Sequence, residues 1–598
     1  MTGEGQVVRR GLAIGIVILG VVAGIAGLVG LVLRASADRF GGLEPSPGAN
    51  LLLISLDTTR ADHLGAFGGD PDLSPNLDRL AARGVVFLDT QSPAPITLVA
   101  HASILTGRYP YRHGVRNNGT FSLSEDVPTL ATVLRAENYR TGAFVSAYVL
   151  ARRYGLDGGF EVYDDDLSRG RQESAGEVPA RRAEVTVDSA IAWLDETAAD
   201  NEPFFCWVHL YDPHAPYDPP PGFRERFPSD PYSGEIAYMD AEIGRLLEGL
   251  ESRGLAASTY VAAIGDHGEA LGEHGEQTHA ILLHQATTRV PWILAGPGLP
   301  EGGKVHVPVS AVDLAPTVAW LLDVELPDAK NLDGVPVVNP SPEGLSGLID
   351  RTLYTETMLP HYQYGWSALR GVRRGKWQVV AGVHSTLFDL ERDPRELVDR
   401  STSDTSALRD LEGRLKAVLE IDNADAAAQE MISESEREKL AALGYIGFSE
   451  LERHDPPDPR DLIGAHVHME RARVLAARGN SEQALAELDA MLGDDRQNTS
   501  ALGLRASVLT GMGRLDEAAA TLERLIALDP DNAQSYRSLA QLELGRGRPA
   551  AALELARIGG GKRGAFGSLC AVEAAALTAL GRRDEAVSLL DGRLAESP

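Results

Sequence analysis

Gly479, Gly513, Gly547 and Gly581 stand 34 residues apart, and Ala484, Ala518, Ala552 and Ala586 each follow one of them by five. A fixed period of this length means that one supersecondary unit is copied and stacked, because a single unit cannot bury its apolar face alone. A Gly at each turn and a small residue at each crossing predict pairs of helices. Asp529-Pro530 closes one of the units. Residues 461–598 are therefore expected to form an all-α solenoid whose concave face takes a protein or peptide. As a stack that buries its own faces, it should be separable from what precedes it.

The opposite end carries a different constraint. Residues 11–33, GLAIGIVILGVVAGIAGLVGLVL, hold no charge and are long enough to span a bilayer. Arg9 and Arg10 precede them, which favours a cytoplasmic tail at 1–10 and an exported remainder. The expected arrangement is a single-pass anchor in the cell membrane, a tether at 34–49, and everything after it extracytoplasmic. Ala35-Ser36-Ala37 fits a signal-cleavage site, so removal after Ala37 stays open.

Two function classes fall to composition. A net charge of −29 argues against nucleic acid as a binding partner, since phosphate backbones are bound through excess Lys and Arg. Cys206 and Cys570 are the only cysteines, which excludes a disulfide framework and a Cys-based zinc site.

Between residues 50 and 400 short apolar runs alternate with amphipathic ones. LLLISL (51–56), FFCWVHL (204–210) and YVAAI (260–264) read as strands; NLDRLAARG (76–84) and 236–254 have helical spacing. This alternation predicts an α/β domain with a mostly parallel sheet and helices on both faces. Residues 401–460 are polar and read as a helical linker, ending in HDPPDPRD (454–461). In such a sheet ligands gather beyond the carboxyl ends of the strands. There lie Asp57, the stretch His209…Asp212-Pro-His214, and Asp266-His267-Gly268. Carboxylates and imidazoles at one edge would repel without a cation, and mixed Asp and His ligands suit zinc or manganese better than calcium.

TLVAHASILTG (97–107) raises a separate choice. Thr97 heads a short apolar stretch, where its hydroxyl can cap a helix or, activated by a metal, attack a substrate. A helix N-terminus also favours a bound phosphate or sulfate.

SLDTTRADHLGAFGG, SPNLDRLAARGVVF, ILTGRYPYRHGV, DHGEALGEHGE and LFDLERDPRE resemble the sulfatase branch of the alkaline phosphatase superfamily, in order over about residues 50–400. The repeats resemble tetratricopeptide repeats. The sulfatase cysteine, which becomes formylglycine, is replaced by Thr97, and the arginine that follows it by His101. The second of the paired aspartates is Thr58, and the two anion-binding lysines fall near Ser146 and His279. The Thr97 segment is similar to that of nucleotide pyrophosphatase/phosphodiesterases, which use a threonine nucleophile. That resemblance implies a metal held by Asp57, Thr97, Asp266 and His267, with a possible second one at Asp212, His214 and His279. It also implies substrate contacts from His101 and Asn118, and leaving-group assistance from His214 or His279.

The expectation is a membrane-anchored, metal-dependent hydrolase or transferase that cleaves phosphate esters, diesters foremost, through a phospho-threonine at Thr97. The alternatives are a sulfatase without the formylglycine cysteine, in which calcium would replace zinc or manganese, and a scaffold acting through its repeats.

Overall fold

A computed structural model describes residues 43–169, 179–197, 202–338, 348, 350–422, 453–562 and 567–596. The expected span at 11–33 lies outside them. Among the described residues no helix is long and apolar enough to cross a membrane.

The described residues form a nine-stranded sheet from β1 (Asn50–Leu56), β2 (Gly84–Gln91), β3 (Arg140–Phe144), β4 (Val162–Asp164), β5 (Phe204–Leu210), β6 (Thr259–Gly265), β7 (Arg289–Ala295), β8 (Gly303–Val305) and β9 (Val309–Ser310). The order is β4-β3-β5-β1-β6-β7-β2-β8, with β9 also on β2. β7 runs against both its neighbours, β6 and β2, while the other pairs are parallel, so the sheet is mixed. Every residue of β1 is buried. Leu51 and Leu53 pack on one face with Leu98 and Val99 of the Thr97–Thr106 helix; Leu52, Ile54 and Leu56 pack on the other with Ile236 and Ile243 of the Pro231–Ser252 helix. Successive side chains of a strand point to opposite faces, so a central strand covered on both sides reads as one unbroken apolar run.

The reversal of β7 positions the site. β6 ends at Gly265, and the chain returns at Arg289 on the neighbouring strand without crossing to the far edge. Segment 266–288 therefore starts and ends at the carboxyl edge and folds over it.

A second sheet, not anticipated from the sequence, is an antiparallel meander of β10 (Leu353–Thr357), β11 (Leu369–Arg374), β12 (Trp377–Ala381) and β13 (Ser385–Asp389). The Thr405–Leu419 helix, at the start of the expected linker, buries Leu411 and Leu415 against it.

Beyond residue 462 the described helices pair as the period requires, from Ile463–Ala477 with Ser481–Asp494 to Gly567–Ala579 with Arg583–Glu596. The four repeat glycines have φ of 76°, 73°, 71° and 79°, a left-handed turn that glycine adopts without strain. Ala484, Ala518 and Ala552 are fully buried where the helices cross.

The expected separation of the two units is corrected by their packing. Leu359, Tyr364, Trp366, Leu369 and Val380 share one apolar core with Ala465, Met469 and Ala472 of the first repeat helix. Trp366 Nε1 donates to Asp495 Oδ2 at 2.8 Å, and Ser500 Oγ to the Gln363 carbonyl at 2.6 Å. Tyr364 and His466 share a 2.9 Å hydrogen bond. One core runs through both units because apolar side chains of each lie on the surface that the other covers.

Candidate functional site

Asp57 follows β1 and Asp266 follows β6, and the parallel pairing of these strands puts both carboxylates at one edge. Both are fully buried. Asp57 Oδ1 lies 3.7 Å and Asp266 Oδ2 3.5 Å from His267 Nε2. His267 Nδ1 is 3.1 Å from the Gly268 carbonyl, so it carries the proton and leaves Nε2 as a lone pair. Both Asp57 oxygens and Asp266 Oδ2 are buried without a hydrogen-bond partner. Three atoms that can only accept thus face one another, an arrangement that a divalent cation completes. Burial pushes the Asp57 carboxyl up to about 8 and that of Asp266 well above the usual range, and it pushes the His267 imidazole down. Charge there is costly until a cation balances it.

His101, His209 and Asp266 also lie close together, but the two imidazoles turn protonated nitrogens, His101 Nδ1 and His209 Nε2, to the centre of the group. His209 Nδ1 accepts from the Ser146 N–H at 3.3 Å, so Nε2 bears the proton that it turns toward Asp57 Oδ2, also 3.3 Å away. His209, the penultimate residue of β5, lies beside Asp57 without a hydrogen bond to it. Apart from its place at the strand end, nothing in its apolar sequence context marks it.

Thr97 is the first residue of its helix; the N-cap is Ile96, and no side chain of the helix's own start caps it. The Thr97 hydroxyl instead lies 3.3 Å from His267 Nε2. The helix end is closed from outside, where the Leu98 N–H donates to Asn118 Oδ1 at 3.0 Å. This leaves the Asn118 amide nitrogen as a donor beside Thr97. His101 departs from the expected substrate contact. Its Nδ1–H donates to the Thr97 carbonyl at 2.8 Å, and its Nε2 accepts from Ser55 Oγ at 2.9 Å. Both nitrogens are used inside the fold, and the ring holds the first helical turn against β1.

His279 comes from the loop over the edge, as expected, with a partner the sequence reading missed. Its Nδ1 is 3.0 Å from Oε1 of the buried Glu269. Burial disfavours charge on His279, but Glu269, then Asp57 and Glu276, outweigh it and raise its pKa to about 9. The His279 ring lies 4.5 Å from that of His267 and 5.2 Å from that of His214, which stacks on Tyr211 at 4.3 Å. Asp212 does not join them. Its Oδ2 accepts from the Ala183 N–H at 3.0 Å, at the start of the Ala183–Thr197 helix. Asp212 Oδ2 is thereby engaged at a helix start, and Asp212, His214 and His279 do not form one of the metal-binding groups found among the described residues.

A cavity of about 690 Å³ opens over Thr97, Asn118, His214 and His279. Buried acceptors on Asp57, Asp266 and His267 that could hold a cation, a hydroxyl at a helix start and two imidazoles gather at the carboxyl edge of a mixed α/β sheet, and the fold of this domain is alkaline phosphatase-like. More narrowly, residues 49–324 match the sulfatase family, and residues 465–490, 499–524 and 533–557 match the tetratricopeptide repeat: this chain joins a sulfatase-family domain to tetratricopeptide repeats. It is 28% identical to the ulvan-active sulfatase of Formosa agariphila over 49% of this chain and 66% of that protein. With arylsulfatase A of Bos taurus the identity is 26%, over 59% and 84% of the two chains. Among solved structures, that of Ps i-CgsB in complex with k-i-k-neocarrahexaose matches with a TM-score of 0.55 and 22% identity, over 66% of this chain and 97% of that one. The phosphonate monoester hydrolase of Agrobacterium radiobacter matches with a TM-score of 0.52 and 22% identity, over 65% and 98%.

Proposed function

We propose that this protein cleaves or transfers phosphate esters, diesters foremost, through a covalent phospho-threonine at Thr97. The observation that carries this reading is the Thr97 hydroxyl, unused in capping and 3.3 Å from the bare Nε2 of His267. A divalent cation held by Asp57, Asp266 and His267, with zinc or manganese favoured by the mixed donors, would supply charge neutralisation and Lewis acidity beside that hydroxyl. Thr97 Oγ attacks phosphorus and its proton passes to solvent as the O–P bond forms. The bond from phosphorus to the alcohol breaks, and the departing oxygen takes a proton from His279 Nε2. Asn118 donates to a phosphoryl oxygen. Water, or an acceptor alcohol, then attacks phosphorus and restores the Thr97 hydroxyl.

Residue type and anion are chemically linked. A hydrated formylglycine expels sulfate by reverting to the aldehyde, whereas a threonine sulfate lacks that exit; a threonine phosphate can be opened at phosphorus. Sulfate-ester hydrolysis is the second reading, favoured by the sulfatase-family match. An aryl phosphodiester, an aryl phosphomonoester and an aryl sulfate, each assayed with zinc, manganese and calcium, separate the two. Diester turnover should lead, and sulfate turnover dominating would overturn the assignment.

The site faces the outside of the cytoplasmic membrane in this proposal, tethered by residues 11–33, which the uncharged span and Arg9-Arg10 support. N-terminal sequencing that found Asp38 as the first residue of membrane-extracted protein would refute the tether.

A further inference from the structure

The cavity over Thr97 is built from both units of the chain. Tyr148, Tyr211, His214 and His279 of the sulfatase-family domain line it, and so do Arg471, Val474 and Arg478 of the first repeat helix and its end. These three follow at intervals of three and four residues and share one helical face. The opposite face, with Ala465, Met469 and Ala472, is buried in the common core, so this wall is fixed in place. The acidic residues beside it have local partners: Glu470 pairs with Arg473, and Glu487 lies against His468. Among the described residues Arg471 and Arg478 have no carboxylate partner, and both are exposed. Between them Val474 is 48% exposed. In a chain of net charge −29, two unpaired guanidinium groups beside the nucleophile's cavity stand out.

We infer that the first repeat helix is the specificity wall of the site: Arg471 and Arg478 bind a second anionic group on the alcohol half of the ester, whose apolar body rests on Val474. This rests on the reading of Thr97 as the nucleophile. A cavity of about 690 Å³ is larger than one phosphoryl group needs, and it falls within the range of roughly 300–1,000 Å³ that holds a ligand of several rings. The cation and Asn118 serve the ester being broken; the arginines lie on the other wall and serve a separate charge. Guanidinium matches a carboxylate, phosphate or sulfate through paired N–H donors.

The test uses full-length protein and two ester series, those of 4-nitrophenol and of 3-carboxy-4-nitrophenol, which differ by one carboxylate on the leaving group. The parent should favour the carboxylated ester in kcat/KM, mainly through KM. In R471Q/R478Q that preference should fall by about tenfold, the lower end expected for two charge-assisted contacts at an exposed site. An unchanged ratio in the double variant overturns the wall. Turnover insensitive to Thr97→Ala would instead overturn the nucleophile. Equilibrium titration with the two free phenols tests the wall without turnover: the carboxylated phenol should bind tighter to the parent, and equally tight binding of both overturns the inference.

Discussion

The Trp366 indole donates to the Asp495 carboxylate across 129 residues of sequence, and both side chains are buried where the first repeats meet the antiparallel sheet. Arg453 grips the same carboxylate with two N–H groups, each at 2.9 Å. The repeats are thereby built into the catalytic unit.

Trp366→Ala should destabilise the whole chain by about 3–5 kcal/mol, the usual cost of emptying a core of a large aromatic side chain. It also leaves the acceptor of the 2.8 Å hydrogen bond without that donor. The denaturant midpoints of both units should move together. A shift confined to the repeats would mean that the shared core does not couple them. Removing 461–598 should likewise expose Tyr364, Trp366 and Leu369 and cause aggregation, visible by light scattering.

Thr97→Ala should lower turnover of the best ester by at least ~10³, since removing a covalent nucleophile leaves only binding and electrostatic terms. Thr97→Ser keeps an attacking hydroxyl and should recover much of the loss. Rapid-quench mass analysis of the parent should find a phosphoryl group on the peptide that contains residue 97. An unimpaired alanine variant would return Thr97 to a merely helical role.

Purified protein should contain zinc or manganese, and His267→Ala should reduce its content. Chelation should lower Tm, because it leaves Asp57 and Asp266 buried with three oxygens that have no partner. Stoichiometric calcium, indifferent to His267→Ala, would favour the sulfate reading.

Mild acid should loosen the junction between the units. Burial foremost, with a smaller opposing effect of Glu470, holds the pKa of His466 down to about 4. Its Nδ1 accepts from the Tyr364 hydroxyl in the neutral form. In the unfolded chain the ring titrates near 6.5, so above that pH neither state is charged and its contribution is fully present. As pH falls from 6.5 to about 4 the unfolded state takes up the proton first, and up to about 3 kcal/mol is lost. His466→Gln should flatten the acid limb of a Tm–pH curve by about one proton. Parallel curves for parent and variant would remove His466 from the account.

Much of the site was legible because strand ends declare themselves. Asp57 and Asp266 follow short apolar runs that read as strands, and parallel pairing then fixes which edge they share. Thr97 and Asn118 came from motif order, and the repeats from a period. What escaped was the direction of side chains and partners distant in sequence. His101 stands one helical turn from Thr97, yet its ring turns inward because Ser55 and the Thr97 carbonyl satisfy both nitrogens. Asp212 lies near the edge, but a helix N–H claims it. Glu269 looks like an ordinary residue of a polar loop until His279 folds back onto it. The union of the repeats with the sheet had no local signal at all, since Trp366 and Asp495 are unremarkable until the chain brings them together.

The reversed strand β7 gives the chemistry a modular grammar. Asp266, His267, Glu269 and His279 all belong to one uninterrupted segment that leaves and rejoins the sheet at neighbouring strands. That segment can lengthen, shorten or be exchanged as a cassette without rethreading a strand. Asp57 and Thr97 stand outside it, on β1's exit and on a helix of their own. Changes in the loop would therefore reach Asp266 and His267 beside the Thr97 hydroxyl as well as His279, while Asp57 and Thr97 themselves stay with the frame.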